Sequence, residues 1–159
     1  MLQPLWHKVV TLARDPLWYS DCKVTDTVEG RFDMITAVLS AVVVRLEAMD
    51  KHTESAFLCE LFVEDMDGQL REFGINDVVV GKHIGRLMSS LGGRLGVYRP
   101  SLLNGDLGKL ELAVQRNINL SEEGSALYLA KKLQKLFENL SAVELENLIT
   151  AKFEANIAQ

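Results

Sequence analysis

The composition of this 159-residue chain excludes several classes of protein. With 48% hydrophobic residues, 25% charged residues and only three prolines, the chain is neither disordered nor fibrous, and its length suits one globular domain. Its net charge of −5 disfavours DNA as a partner. Its most apolar run, residues 34–44, is well short of the ~20 residues that span a bilayer.

The N-terminus and the cysteines indicate the cellular compartment of the protein. Residues 1–8 contain no charged leader followed by a long apolar region, so we expect no export signal. Cys22 and Cys59 each stand alone without a CxxC spacing, which favours reduced thiols in a reducing compartment. We therefore expect a cytoplasmic protein, with the cytoplasmic face of the inner membrane as a peripheral location.

The first third of the chain predicts two helices and one connection. Apolar residues at helical spacing predict a first helix over residues 2–13. Residues 17–30 show no sustained period, so we expect an ordered connection that holds Trp18 against the core and is broken at Gly30. Residues 31–49 are apolar nearly all round, which is typical of a central helix covered on several sides.

Two further helices follow. A third helix is expected from Thr53, as its cap, to Phe73, with Phe57 facing inward. A fourth is expected from Asp77 to Tyr98, because Pro100 disfavours the helical conformation of the residue before it. The glycines at 92–93 predict a bend or the close approach of another helix.

The last third of the chain predicts the remaining helices. A short helix is expected over residues 107–117, another opens at Ser121, and a last one runs to about Asn156 after a capping box formed by Ser141 and Glu144. The sequence therefore predicts an all-α fold, a single-domain bundle of about six or seven helices over residues 1–159.

The junction between the third and fourth helices changes the sign of the charge. Four acidic side chains precede it, Glu64, Asp65, Asp67 and Glu72. Gly74 suits a helix C-terminus that needs positive φ, and Asn76 or Asp77 can cap the next helix. Residues 78–105 then contain no acidic residue but carry four cations, Lys82, Arg86, Arg94 and Arg99. A dipolar element of this kind is typical of recognition rather than catalysis.

Two segments carry a resemblance to a known family. They are residues 26–33, with the sequence DTVEGRFD, and residues 65–82, with DMD, LRE, Gly74, Asp77 and VGK. They resemble the bacterial branch of the ubiquinol-cytochrome c chaperone family over about residues 10–120, which leaves about 121–157 as a helical cap.

That resemblance implies a non-enzymatic chaperone without a cofactor that promotes assembly of the ubiquinol-cytochrome c reductase (bc1) complex. The client it implies is a protein, cytochrome b or another respiratory membrane protein. Peripheral contacts with the inner membrane or the ribosome are a further implication.

The residues expected to bind the partner come from both segments and from the basic helix: Arg31, Phe32, Asp67, Arg71, Gly74, Asp77, Gly81, Lys82 and Arg86. A structural role competes with recognition at two of them. An arginine in the first turn of a helix opposes the helix dipole, so Arg31 either forms a clamp with the acidic end of the third helix or contacts the partner. Lys82 is either a recognition cation or a solvated side chain.

No catalytic or metal-binding pattern is present. His7, His52 and His83 lie on three predicted elements, and none has a second histidine at i+3 or i+4. The main alternative to a chaperone is a peripheral, lipid-headgroup-binding protein whose first helix places Leu5 and Trp6 in the membrane interface. A haem carrier with His83 as ligand is a third hypothesis.

Overall fold

The computed structural model describes residues 1–72 and 77–157, apart from the side chains of residues 70, 71 and 77–84. In this part of the chain the helices are α1 (Gln3–Ala13), α2 (Pro16–Ser20), α3 (Val28–Ala48), α4 (His52–Glu72), α5 (Asp77–Leu103), α6 (Leu107–Asn117), α7 (Ala126–Ser141) and α8 (Leu145–Ile149). Six of them have 11 or more residues. The all-α bundle predicted from the sequence is confirmed.

The first helix is found as predicted, but the connection after it contains a helix of its own. Asp15 caps α2 by accepting a hydrogen bond from the Leu17 N–H at 3.0 Å, and Pro16 occupies the first helical position, where its missing N–H is not needed. Trp18 is buried, and its Nε1 donates to the Leu12 carbonyl at 2.8 Å. The short helix therefore fixes the buried tryptophan against α1.

The central helix begins three residues earlier than the predicted Arg31. Thr27 caps α3, and its hydroxyl accepts a hydrogen bond from the Gly30 N–H at 3.1 Å. Gly30 is therefore a helical residue and not a breaker. A Cβ at this position would lie 1.7 Å from the Thr25 carbonyl oxygen, so only glycine allows the preceding chain to approach so closely. Thirteen residues of α3 are buried, and α1, α4, α5 and α7 all contact it.

The α4–α5 pair departs from prediction at three points. Phe57 was predicted to face inward but is 38% exposed. α5 continues past Pro100 to Leu103, because the Asn104 N–H bonds the Pro100 carbonyl at 3.1 Å while Leu102 packs into the core. A Cβ added at Gly92 or Gly93 would meet nothing within 4 Å, so the predicted close helix approach there is wrong.

The C-terminal third is built differently from the prediction. The cap of α7 is Ser125, not Ser121, because the Ser121 N–H instead bonds the Lys23 carbonyl beside an isolated Val24–Leu120 bridge. The predicted capping box is wrong: Ser141 ends α7, and its hydroxyl donates to the Phe137 carbonyl.

The last helix, α8, ends at Ile149, before the predicted Asn156. The segment after it folds back, and Lys132 Nζ donates to the Ile157 carbonyl at 2.9 Å. In the described part of the chain no helix is long and apolar enough to cross a membrane.

Candidate functional site

An open apolar groove lies where α3, α4 and α5 meet, on the side of the α4–α5 pair that faces the start of α3. We call it the Phe32 groove, and it encloses about 460 Å³. Its apolar lining is Val28 and Phe32 from α3, Met66 from α4 and Leu87 from α5. Its polar lining consists of Glu29, Asp33, Gln69, Arg86, Ser90 and Arg94. Among the described lining residues, two acidic and two basic side chains balance.

Phe32 joins the groove to the core. The side chain is half-buried, and its ring centroid lies 6.1 Å from that of Phe62, which is fully buried. The Arg94 guanidinium lies over the same ring, 5.2 Å from its centroid. Phe32 is thus fixed from two sides while one edge faces the groove, an arrangement that suits an anchor for an apolar partner.

A buried ion pair forms the base of the groove. Arg94 Nη1 lies 2.9 Å from Asp33 Oδ1, and the two side chains are only 16% and 11% exposed. The same nitrogen donates to the Thr36 hydroxyl at 2.9 Å and to the Asn117 carbonyl at 3.1 Å. The other carboxylate oxygen of Asp33 accepts the Asn119 N–H at 3.1 Å. One network therefore ties α3 and α5 to the connection between α6 and α7.

This network was missed from the sequence, although a signal for it exists. From the sequence Arg94 was only one of four cations in a basic segment, yet it follows Leu91 by three positions and precedes Tyr98 by four. Both of those neighbours are buried, so the helical period places Arg94 on the inner face. Asp33 similarly adjoins the apolar run of α3. A lone acid and a lone cation on two buried stripes indicate an internal pair.

The ion pairs also revise the predicted basic face of α5. Arg94 is neutralised by Asp33, and Arg99 forms a two-point ion pair with Glu47, at 2.8 Å from Nε and 3.1 Å from Nη2. Two of the four cations expected to attract a partner therefore hold the fold together. Arg86 is exposed at the wall of the Phe32 groove, as its predicted role requires.

Arg31 does not form the predicted clamp with the acidic end of α4. Its Nε lies 2.8 Å from Asp26 Oδ1, and both side chains are more than half exposed. The hydrogen bond to Asp26 raises the pKa of Arg31, and the pair lies at the wall of a separate cleft that Tyr19 also lines. Arg31 thus pairs with the loop before α3 and is not part of the Phe32 groove.

The acidic residues of α4 have different surroundings. Asp65 was expected to belong to the acidic side of the junction, but it accepts a hydrogen bond from Trp6 Nε1 at 3.0 Å and so ties α4 to α1. Glu64 and Glu72 are exposed, and Asp67 is half-buried on α4 without lining the groove. The carboxylates that precede the junction are thus not a single surface.

The centre of the predicted junction lies outside the described residues. This holds for Gly74 and for the side chains of Arg71, Asp77, Gly81 and Lys82, as it does for His83. Of the nine expected partner-binding residues, the described structure brings two, Phe32 and Arg86, into one groove.

The membrane-binding alternative requires an exposed apolar face on α1, and this face is buried. The apolar face of α1 packs into the core, with Leu2, Leu5 and Val9 at 0% exposure and Trp6 at 5%. A helix that buries this face in the protein cannot also bury it in the headgroup region.

A second apolar groove lies on the opposite side of the α4–α5 pair, and we call it the Met88 groove. It encloses about 550 Å³ and is lined by Ala56, Cys59, Glu60, Val63, Glu64, Met88, Leu91, Gly92 and Leu95. Burial raises the pKa of the Cys59 thiol to about 11, so the thiol stays protonated at neutral pH. Among the described residues, no group of three or more potential metal ligands is present.

The comparisons with known proteins agree with this architecture. The model of the ubiquinol-cytochrome c chaperone family matches residues 20–155, which is most of the chain. The protein belongs to this family. It is therefore an assembly chaperone of the ubiquinol-cytochrome c reductase (bc1) complex, and its partner is a protein client in respiratory complex assembly.

A solved structure supports the same conclusion. The crystal structure of the Cbp3 homolog from Brucella abortus is similar, with a TM-score of 0.81 and 26% identity over 99% of this chain and 90% of that chain. The comparison with curated proteins gave no match. The resemblance found in the sequence is thus confirmed, and the family match extends to the C-terminal segment beyond residue 120.

Proposed function

We propose that this protein binds newly made cytochrome b on the cytoplasmic side of the inner membrane and holds it until the bc1 complex assembles, without catalysing a reaction. Membership in the chaperone family is the observation that carries the proposal. We propose the same client contact for the residues taken from the sequence, of which Phe32 and Arg86 line the Phe32 groove.

The Phe32 groove suits an apolar segment of such a client. Met66 and Leu87 are half-buried against the core, and Val28 at the mouth is 82% exposed. The charges of the described lining residues balance, so we expect affinity to come mainly from burial of apolar surface, at ~25 cal/mol for each Å² removed from water. Arg86 supplies a cation at the wall for a polar group of the client.

The proposed function is tested in a source strain that lacks this gene. We expect membranes of that strain to lose the cytochrome b signal in the reduced-minus-oxidised haem spectrum and to lose the assembled bc1 complex on a native gel. Wild-type protein restores both. Unchanged cytochrome b in the deletion strain would contradict the proposed client.

The groove itself is tested with two matched variants. Val28→Glu places a charge at the mouth of the groove, at the first position of α3, where an acidic residue favours the helix dipole. Leu112→Glu changes another exposed apolar residue, 58% exposed on α6, that lines neither groove. We expect Val28→Glu to fail in restoring the complex and Leu112→Glu to succeed. Lys82→Glu tests the junction in the same strain.

A further inference from the structure

The Met88 groove is a second surface that fits a protein segment. Its floor is formed by Leu91, which is buried, and by the half-buried Val63 and Leu95. Met88 stands at its edge with 59% of its surface exposed, the largest exposed fraction among the apolar residues of α5 that the structure describes. A flexible thioether at an open groove suits a surface that adapts to more than one apolar partner.

The charge of the Met88 groove has one sign. Among the described residues, Glu60 and Glu64 are its only charged lining residues; both are exposed, and they lie one helical turn apart along α4. Arg99, a cation whose charge acts on Cys59 in this groove, is already paired with Glu47. The Phe32 groove differs, because in its described lining two acidic residues are balanced by two arginines.

The floor of the Met88 groove is also left open at Gly92. A Cβ at this position would meet nothing within 4 Å, so packing inside the protein does not require glycine there. Glycine in a helix interior is less favourable than alanine. The sequence thus keeps a residue that weakens α5 at the point where a larger side chain would fill the groove.

We propose that the Met88 groove binds an amphipathic helical segment with an apolar face and flanking lysines or arginines, which pair with Glu60 and Glu64. Cytoplasmic segments next to transmembrane helices carry an excess of these cations, and they continue into the apolar transmembrane helix. The occupant is therefore a juxtamembrane segment of the membrane-protein client, so this inference rests on the proposed function. The two grooves flank α5 and bind different parts of that client.

Fluorescence anisotropy with the full chain and a labelled synthetic peptide tests the proposal. The probe is about five helical turns long, with leucines on one face and lysines on the other, and the comparison peptide has glutamate at each lysine position. We expect the lysine peptide to bind at least about tenfold more tightly. Glu60→Gln with Glu64→Gln reduces that affinity about fivefold and weakens its dependence on salt.

A matched pair of glycine variants locates the site. Gly92→Leu fills the groove, while Gly93→Leu adds the same side chain at the next position, which lines neither groove and is equally open. Both variants are expected to fold, which circular dichroism checks. We expect Gly92→Leu to weaken the lysine peptide at least about tenfold and Gly93→Leu to leave its affinity unchanged.

Several outcomes overturn the proposal. They are equal binding of the two peptides, equal effects of the two glycine variants, and glutamines that leave the affinity unchanged. A concentration-dependent dimer that Gly92→Leu dissociates would make the groove a contact between copies of this chain instead. Binding to anionic phosphatidylglycerol vesicles that Gly92→Leu abolishes would make it a lipid site. The peptide assay needs no bc1 complex, so failure of the Met88 groove proposal can be told apart from failure of the proposed function. Peptide binding can fail while the gene still restores the bc1 complex in the deletion strain, and peptide binding can succeed while that restoration fails.

Discussion

Removal of the Asp33 carboxylate tests whether the Arg94 network holds the bundle together. In Asp33→Ala, Arg94 Nη1 loses an acceptor at 2.9 Å, and the Asn119 N–H loses its acceptor at 3.1 Å. The guanidinium keeps its bonds to the Thr36 hydroxyl and the Asn117 carbonyl, but neither carries a charge that balances it. The variant leaves a cation that is 16% exposed without its counter-charge.

The expected loss follows from the burial of this pair. Removal of one partner from a buried ion pair costs about 3–5 kcal/mol, and the remaining exposure of Arg94 places this case near the lower end, at about 3 kcal/mol. For a domain of this size each kcal/mol lowers Tm by about 2–4 °C, so we expect a fall of about 6–12 °C. Such a loss is a large fraction of the ~5–15 kcal/mol by which a domain is stable.

Urea unfolding followed by circular dichroism gives the free energy of unfolding of each variant. Asp26→Ala is the control, because Asp26 forms an ion pair with Arg31 at nearly the same distance, 2.8 Å, but in an exposed setting. We expect no measurable loss there. In a double-mutant cycle with Arg94→Ala, the double variant should lose less than the two single variants together.

The reasoning is refuted if Asp33→Ala and Asp26→Ala lose the same small amount of stability. A double variant whose loss of stability equals the sum of the losses in Asp33→Ala and Arg94→Ala would also refute it. Either result would mean that burial does not distinguish the two ion pairs, and Arg94 would then be available to a client in the Phe32 groove.

Three further changes follow from the packing and the burial of particular groups. Gly30→Ala places a Cβ 1.7 Å from a backbone oxygen and should strongly destabilise the protein, whereas Gly93→Ala meets nothing within 4 Å and should raise the free energy of unfolding by roughly 0.5–1 kcal/mol, both measured by urea unfolding. Asp65→Ala removes the acceptor of the Trp6 indole N–H and should cost about 1–2 kcal/mol, whereas an unchanged urea midpoint would show that this bond does not stabilise the α1–α4 contact. Burial raises the pKa of Cys59 from 9.0 to about 11, so as the pH rises the unfolded chain loses this proton before the folded chain does. The contribution of the buried thiol to stability is complete below pH 9 and is lost as the pH rises through 11. Over that range Cys59→Ala should lose less stability than the wild type, and parallel plots of the free energy of unfolding against pH for the two proteins would contradict the assignment.

The sequence predicted helix positions well where the apolar period was unbroken. α1 and α6 begin and end within about a residue of the predicted limits, because each has a clear apolar stripe and clear end signals. Caps were harder to assign. Ser121 has the composition of a helix start, but its N–H bonds the Lys23 carbonyl, a partner nearly a hundred positions away that no local rule detects.

The charged residues show the same limit more sharply. From sequence, Arg86, Arg94 and Arg99 are equivalent cations of one segment and Arg31 is a cation at a helix start. The structure places Arg31 in a local exposed pair, Arg86 at an open groove wall, Arg94 in a buried network and Arg99 in a two-point surface pair. A carboxylate partner on α3 is what distinguishes Arg94 and Arg99 from the other two arginines. The resemblance identified the family correctly because it depends on local motifs, while the site depends on which helices pack together.

The placement of charge on α4 and α5 gives the two grooves different specificities on one pair of helices. If α5 had presented four unpaired cations, both of its sides would have attracted acidic segments. Arg94 lines the Phe32 groove but is paired with Asp33, and Arg99 is paired with Glu47, so Arg86 is the described cation of α5 that lines a groove outside these ion pairs, while Glu60 and Glu64 line the other groove. A client that contacts both grooves is oriented by charge, since a basic flank is favoured at the acidic Met88 groove over the Phe32 groove, whose described charges balance.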